Sequence, residues 1–241
     1  MSDTLVSSIR ERYQRTLAQI ADAAAGSGRA AGAARLVVVS KTQPLEVVRA
    51  AIAAGISVFG ENYAEEAVEK IIEIKETAVE WHMIGHVQGR KADLVAGHFT
   101  MLHSLDSVKL AGRLDRFCGQ FDRILPVLLE FNVSGEESKF GFAAWDERLW
   151  PDLEPEIEKI LAFPCLRVRG LMTMPPFYDD PEQTRPYFQR LRRLQEFLVK
   201  RFPQAEWSEL SMGTSVDFVA AVQEGATYVR IGQAILGPRS K

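Results

Sequence analysis

The sequence predicts an α/β fold, a (β/α)8 TIM barrel in a single domain with an extra N-terminal helix. Short apolar segments alternate with amphipathic segments from residue 36 to residue 236. Each apolar segment is nearly continuous, as strands buried on both faces are. Because a doubly wound open sheet shows the same alternation, the strand count leaves the closure of the sheet open.

The first predicted element is a helix over residues 5–25. Its apolar residues recur at roughly helical spacing, and a run of glycine and serine after Ala25 ends it. We expect this helix to pack across the barrel or one of its faces. Within the single domain over residues 1–241, residues 1–34 then form the helix and a linker, and residues 35–237 form the barrel.

Eight strands and eight helices follow. The strands are predicted at 36–40, 56–60, 81–85, 100–104, 124–131, 166–172, 207–210 and 227–231. The helices are predicted at 44–54, 62–77, 89–96, 107–118, 146–162, 181–202, 214–224 and 233–236. In the second of these helices, Glu66 and Lys70 are four residues apart and predict an exposed ion pair.

Composition narrows the function classes. A net charge of −3 and a pI near 5.9 provide no basic excess, which disfavours nucleic acid as a partner. Charged residues interrupt every apolar run, so no membrane-spanning segment is expected. Two cysteines and an N-terminus without the layout of a signal peptide favour a reducing cytoplasm.

Lys41 follows the apolar run Leu36-Val37-Val38-Val39 directly after Ser40. A lysine at the end of a buried strand is desolvated, so its neutral amine becomes accessible and nucleophilic. The alternative is a lysine whose stem leaves the strand while its ammonium group reaches solvent.

The last two predicted strands end in turns that are suited to phosphate. Ser211 and Gly213 follow the seventh strand, and Gly232 and Gln233 follow the eighth. In (β/α)8 barrels these two loops often bind phosphate, with a short helix contributing its positive end. A turn requirement alone would also explain each glycine. The nucleophilic amine and the phosphate turn together predict pyridoxal 5'-phosphate (PLP) as cofactor.

Arg230 precedes Gly232 by two residues, so both face the same side of the sheet. A buried arginine needs an acceptor, which the pyridine nitrogen of PLP or a carboxylate in the barrel could supply.

His82 and His86 are about 13 Å apart if they lie on one strand, too far for one metal ion. No metal site is therefore predicted. The polar loop at 135–142 is predicted as a surface loop, with a lid as the alternative.

The chain also resembles the pyridoxal phosphate homeostasis proteins, which are single-domain relatives of the alanine racemase N-terminal barrel. The matching segments are VSKTQP (39–44), FGENY (59–63), WHMIGHVQ (81–88), HSLDS (103–107), NVSGE (132–136), KFGF (139–142), GLMTM (170–174), LSMGTS (210–215) and VRIGQAILG (229–237). The resemblance covers nearly the whole chain in order.

The resemblance implies a (β/α)8 barrel that holds PLP as a Schiff base on Lys41. It implies contact of Asn62 with the ring, of Arg230 with the pyridine nitrogen, and of the phosphate with Ser211, Gly232 and residue 233. Members of the family usually carry threonine at that last position, where this chain has Gln233. The backbone N–H of Gln233 is retained, but the threonine hydroxyl is not.

The function implied by the resemblance is intracellular vitamin B6 homeostasis by a monomeric PLP-binding protein, without catalysis, with PLP-dependent apo-enzymes as partners. The alternative is a PLP-dependent amino-acid racemase. Alanine racemases add a C-terminal β domain that supplies a second acid/base, and the sequence after Gly237 leads us to expect none here. A third possibility is a Schiff-base aldolase without cofactor, in which Arg230 and the phosphate turn bind a sugar phosphate.

Overall fold

Eight parallel strands close into a barrel in the computed structural model, which describes residues 3–238. The strands in this part of the chain are β1 (Arg35–Val39), β2 (Val58–Glu61), β3 (Glu80–Met83), β4 (Met101–Leu105), β5 (Leu125–Asn132), β6 (Phe142–Ala143), β7 (Leu166–Met172), β8 (Glu209–Ser211) and β9 (Tyr228–Ile231). Pairing of β9 with β1 and of β4 with β5 completes the ring, and β6 adds only to β5. The predicted fold class is confirmed.

Helices cover the outer surface of the barrel. They are α1 (Asp3–Gly26), α2 (Leu45–Ala53), α3 (Ala64–Ile74), α4 (Ala92–His98), α5 (Val108–Gln120), α6 (Glu154–Leu161), α7 (Arg185–Arg201), α8 (Phe218–Gln223) and α9 (Gln233–Leu236). The main apolar core lies between these helices and the strands. None of the helices formed by residues 3–238 is long and apolar enough to cross a membrane.

The boundaries differ from the predicted ones where local side-chain chemistry intervenes. Helix α8 begins at Phe218 instead of residue 214, because the Asp217 carboxylate accepts hydrogen bonds from the N–H and hydroxyl of Thr214 and stabilises a turn there. Short 3-10 segments precede α4, α6 and α7. The two-residue strand β6 was not predicted, since it is too short to show a periodic pattern.

Helix α1 packs outside the barrel, against α2, α8 and α9. Its buried residues include Ile9, Ile20 and Ala24. The Arg12 guanidinium donates to the carbonyl of Ile235 at 2.6 Å, which ties α1 to the C-terminal turn. The helix therefore covers the seam where β9 meets β1. The predicted domain over residues 1–241 includes residues 1–2 and 239–241, which lie outside the described residues.

The interior of the barrel holds a second, smaller apolar cluster. Its buried members are Val37, Met101, Leu128, Met172 and Tyr228, each from a different strand. Polar side chains occupy much of the remaining interior, and His103 and Ser211 are fully buried there. Buried polar groups need hydrogen-bond partners, so this interior is organised by hydrogen bonds as well as by packing.

Candidate functional site

A cavity of about 700 Å³ lies at the carboxyl ends of the barrel strands. The predicted site residues on its wall are Lys41, Asn62, Arg230, Gly232 and Gln233. They come from the loops or ends of β1, β2 and β9, which neighbour one another in the barrel. The structure thus brings together residues that are almost 200 positions apart in the sequence.

Lys41 is half-buried and lies on the wall of the cavity, two residues after the end of β1. The N–H of Ser40 still donates to the carbonyl of Gly60 at 3.0 Å, so the chain stays attached to β2 up to the residue before Lys41. Thr42 then adopts a positive φ of 59°, which turns the chain sharply. The β1–β2 pairing and this turn fix the direction in which Lys41 leaves the strand.

A buried ionic cluster supports this turn from behind. The Lys70 ammonium donates to the Ser40 carbonyl at 2.8 Å, to Glu61 Oε1 at 2.8 Å and to Glu66 Oε1 at 2.6 Å. The same Glu66 oxygen accepts from the N–H of Thr42 at 2.7 Å. Lys70 and Glu66 therefore anchor Ser40 and Thr42, the residues on the two sides of Lys41. We call Ser40, Glu61, Glu66 and Lys70 the Lys70 cluster.

The predicted Glu66–Lys70 pair is present, but the expectation that it is exposed was wrong. Lys70 is only 7% exposed, because its ammonium reaches inward to Glu61, which is fully buried. Burial raises the pKa of Glu61, and the neighbouring Lys70 ammonium opposes this rise. The sequence spacing identified the partner on the same helix, whereas the second partner lies on a neighbouring strand.

Arg230 is buried on β9 at the base of the cavity. Its guanidinium donates to the Ser211 hydroxyl, to the carbonyl of Thr173 at 3.0 Å and to the thioether of Met174 at 2.8 Å. Burial lowers the pKa of Arg230 to about 10, and the carboxylates of Asp217 and Glu130 oppose this. The side chain is still a cation at neutral pH and can only donate hydrogen bonds.

Ser211 and Gly213 are not on the wall of the cavity, although both were predicted there. The Ser211 hydroxyl is fully buried between Arg230 and His103. Gly213 has a φ of +93°, and a Cβ at this position would lie 2.5 Å from the Cβ of Ala221, so this glycine allows the loop to pack on α8. The residues of this loop that line the cavity are Thr214 and Ser215.

The turn after β9 presents main-chain groups to the cavity. A Cβ on Gly232 would lie 2.9 Å from the carbonyl oxygen of Val39, so only glycine allows β9 to approach β1 this closely. The N–H groups of Ile235 and Leu236 donate to the Gly232 carbonyl and start the helical turn. The N–H groups at the start of such a turn have no partner within it, which suits an anionic group.

Glu130 is a residue of the cavity wall that sequence reasoning missed. It is 7% exposed, and its Oε2 atom has no hydrogen-bond partner among the described residues. Burial, with a smaller contribution from Asp106, raises the pKa of Glu130 to about 7, while Arg230 and Lys139 oppose the rise. One acidic residue within the apolar strand Leu125–Asn132 was the available signal.

Replacing Glu130 with glutamine is expected to remove a pH-dependent loss of stability. The native pKa of about 7 lies above the ordinary glutamate value of about 4.3, so between these values the native state binds more protons than the unfolded state. The unfolding free energy of the wild type should therefore fall, relative to Glu130→Gln, by on the order of 1–3 kcal/mol as pH rises from about 5 to about 8. Urea denaturation across this range measures the difference, and parallel profiles would contradict the assignment.

The loop at 135–142 partly covers the mouth of the cavity. The Phe140 ring stacks on the His86 ring, with a centroid distance of 3.9 Å, and both residues line the cavity. His86 Nδ1 is 2.8 Å from an oxygen of Asp106, which orients the imidazole. Phe140 is still 53% exposed, so the loop combines features of both predictions, surface loop and lid.

Within residues 3–238, no three His, Cys, Asp or Glu side chains are grouped to bind a metal ion.

Sequence comparison relates the chain to known proteins over almost its whole length. The alanine racemase N-terminal domain family matches residues 16–240. The pyridoxal phosphate homeostasis protein of Aquifex aeolicus is 39% identical over 229 residues, which cover 95% of this chain and 97% of that protein. The protein of the same name from Pseudomonas aeruginosa is 40% identical over 234 residues, which cover 97% of each chain.

Solved structures give the same relationship. PipY of Synechococcus elongatus, in a structure with PLP bound, is 33% identical and superposes with a TM-score of 0.78 over 90% of this chain and 100% of that one. Alanine racemase from Corynebacterium glutamicum is 19% identical, with a TM-score of 0.68, and the match covers 95% of this chain but 60% of the racemase, which shows a shared fold. The chain therefore belongs to the alanine racemase N-terminal domain family, together with the pyridoxal phosphate homeostasis proteins.

Proposed function

We propose that this protein binds PLP in the cavity at the carboxyl ends of the strands and serves in PLP homeostasis. The observation that carries the proposal is the meeting of Lys41, Arg230 and the Gly232 turn on the wall of one cavity. PLP has three chemically distinct parts, which are an aldehyde, a pyridine nitrogen and a dianionic phosphate. The cavity offers an amine, a donor-only cation and a set of main-chain N–H groups.

The described residues fit this cofactor. The volume of about 700 Å³ is within the roughly 300–1,000 Å³ of small-molecule sites. Lys41 would hold the aldehyde carbon covalently as a Schiff base, and Asn62 would lie beside the ring. Thr214 and Ser215 of the β8 loop line the same cavity as Gly232 and Gln233, so these four residues would surround the phosphate. Ser211 would then act through Arg230, since its hydroxyl is buried between Arg230 and His103.

Arg230 determines which chemistry the bound cofactor favours. PLP supplies an electrophilic aldehyde on a ring that can withdraw electrons, most strongly when the pyridine nitrogen is protonated. The Arg230 guanidinium is protonated and has no acceptor atom, so it would donate to that nitrogen and keep it unprotonated. A weak electron sink is suited to carrying the cofactor rather than to activating substrates.

The Gln233 side chain is the departure from the pattern implied by the resemblance. Its backbone N–H is at the start of the turn after β9, and this group does not depend on the side chain. A glutamine amide can donate a hydrogen bond from a longer stem than a threonine hydroxyl. We therefore expect Gln233 to contact the phosphate mainly through its main chain.

Amino-acid racemisation is the second candidate function, and Glu130 is the observation that favours it. Racemisation needs proton transfer on both faces of a carbon, and Lys41 could serve only one. Glu130 is a buried carboxyl group with a pKa near 7 on the wall of the same cavity. We expect alanine racemisation to be absent or trace, because Arg230 would weaken the electron sink. Robust turnover would replace the carrier function by this one.

The proposal also includes three further properties. The protein delivers PLP to apo-enzymes, is monomeric and is located in the cytoplasm. The two cysteines are free, with Cys118 buried and Cys165 half-buried, which is compatible with a reducing compartment. A carrier that hands over its cofactor needs an accessible cavity mouth, and the loop that carries Phe140 leaves it partly open.

A spectrum with chemical trapping tests the proposed function. The purified protein with added PLP should become yellow, because the covalent linkage is conjugated with the ring. Borohydride should remove the visible band and leave a stable adduct, which peptide mass mapping should place on Lys41. A protein that stays colourless with PLP, or an adduct located elsewhere, would contradict the proposal.

A further inference from the structure

A continuous row of hydrogen bonds crosses the interior of the barrel from Arg230 to Glu80. The Arg230 guanidinium donates to the Ser211 hydroxyl, and Ser211 Oγ is 2.8 Å from His103 Nδ1. His103 Nε2 is 3.0 Å from His82 Nδ1, and His82 Nε2 is 3.3 Å from Glu80 Oε2. Arg230 lies at the cavity and Glu80 begins β3 at the opposite rim, so the row spans the barrel.

The two ends of the row fix the direction of every hydrogen bond within it. A guanidinium can only donate and an ionised carboxylate can only accept. Each neutral imidazole has one donor and one acceptor, so donation from His82 Nε2 to the Glu80 carboxylate leaves His82 Nδ1 to accept from His103 Nε2, and both histidines carry their proton on Nε2. His103 Nδ1 then accepts from the Ser211 hydroxyl, whose oxygen accepts from Arg230. No other tautomer satisfies all five side chains.

The environment keeps both histidines neutral. Burial is the largest cause that lowers the pKa of His82 and of His103 below the ordinary value, and the charge of Arg35 contributes in the same direction for both. The Tyr228 ring packs against both imidazoles, with centroid distances of 5.7 Å and 5.1 Å. Each imidazole is thus held both by its ring contact and by its hydrogen bonds.

We propose that His103 and His82 are positioning residues that fix the Ser211 hydroxyl as an acceptor for Arg230 and so keep the guanidinium aimed at the cavity. A hydroxyl with no acceptor on its far side could rotate and present its proton to Arg230, which would replace an attraction by a repulsion. The effect on PLP rests on the proposed function, whereas the hydrogen-bond direction is a property of the protein alone.

Nitrogen-15 NMR of the protein without cofactor tests the direction. The sequence has four histidines, and single substitutions assign their signals. His82 and His103 should each show an unprotonated Nδ1 and a slowly exchanging Nε2–H at neutral pH. A proton on Nδ1 of His103, or rapid averaging between tautomers, would overturn the proposal.

Two substitutions at the same position test the positioning role. The side-chain oxygen of His103→Asn can lie near the place of Nδ1 and accept from Ser211, whereas His103→Leu removes the acceptor. We expect His103→Leu to lose a protected guanidinium N–H signal of Arg230 and to bind PLP at least tenfold more weakly than the wild type. The affinity of His103→Asn for PLP should be within about threefold of the wild-type value. Circular dichroism verifies folding of both variants.

Equal guanidinium signals in the Leu and Asn variants would overturn the positioning role even if the tautomers are as expected. If the wild type fails to bind PLP, the proposed function fails, but the tautomer and guanidinium signals still decide the role of the histidines. The two failures are therefore distinguishable.

Discussion

Replacing Lys41 with alanine will abolish covalent attachment of PLP, so that borohydride leaves no adduct on the protein. The expected loss is complete, because an imine cannot form without a primary amine on the cavity wall at this position. Lys41→Arg is the sharper variant, since it retains a cation but cannot form the linkage. Both variants should lack the visible band of the covalent linkage when PLP is added, while a weaker noncovalent affinity persists through Arg230 and the Gly232 turn.

Lys91→Ala provides the matched control for this experiment. Lys91 also lines the cavity and forms an ion pair with Glu65, but it lies in the short segment Gly89–Lys91, which follows β3 and not β1. Its removal should leave the colour and the adduct unchanged. A borohydride-stable adduct in Lys41→Arg would show that another lysine is the site and would contradict the proposed geometry.

Replacing Lys70 with methionine is expected to lower the free energy of unfolding by about 3–5 kcal/mol, the usual cost of removing one partner of a buried ion pair. The Glu61 carboxylate is fully buried, and without Lys70 the donor left to it among residues 3–238 would be the Ser40 hydroxyl at 2.7 Å. Urea denaturation measures the loss. The Ser40 carbonyl would also lose a partner, so the turn that carries Lys41 should loosen and PLP affinity should fall.

Two further variants separate the buried charge from general disturbance. Arg192→Met removes an exposed partner of Glu196 and should change stability by less than about 1 kcal/mol. The double variant Lys70→Met/Glu61→Leu removes both buried charges and should recover a large part of the loss. A loss from Lys70→Met no larger than that from Arg192→Met would show that the Lys70 cluster is not a stabilising element.

Local patterns were sufficient to predict buried strands alternating with helices, because doubly buried strands and amphipathic helices leave periodic patterns that need no knowledge of distant contacts. Closure of the sheet into a barrel was expected from the resemblance, since an open sheet shows the same alternation. The ends of parallel strands meet at one rim, which pointed to Lys41, Arg230 and Gly232, and the resemblance added Asn62. These positions could be read from single segments of the chain.

The remaining parts of the site depend on contacts across the fold. Lys70 is on a helix, and nothing in its own segment shows that it reaches Glu61 on β2. The row from Arg230 to Glu80 joins four strands through side chains, and no single segment of the chain shows that its members meet. Ser211 illustrates the difference, because its place in the chain favoured phosphate while its hydrogen bonds lie on the interior side.

The pairing of β9 with β1 has a consequence for protein synthesis. The amine at residue 41 leaves the ribosome well before Arg230 and Gly232 are made. A nascent chain would therefore be unable to retain the vitamin until β9 and the turn after it have been synthesised. Ligand occupancy thus reports on closed barrels, and chains that terminate before Gly232 should not sequester the cellular supply.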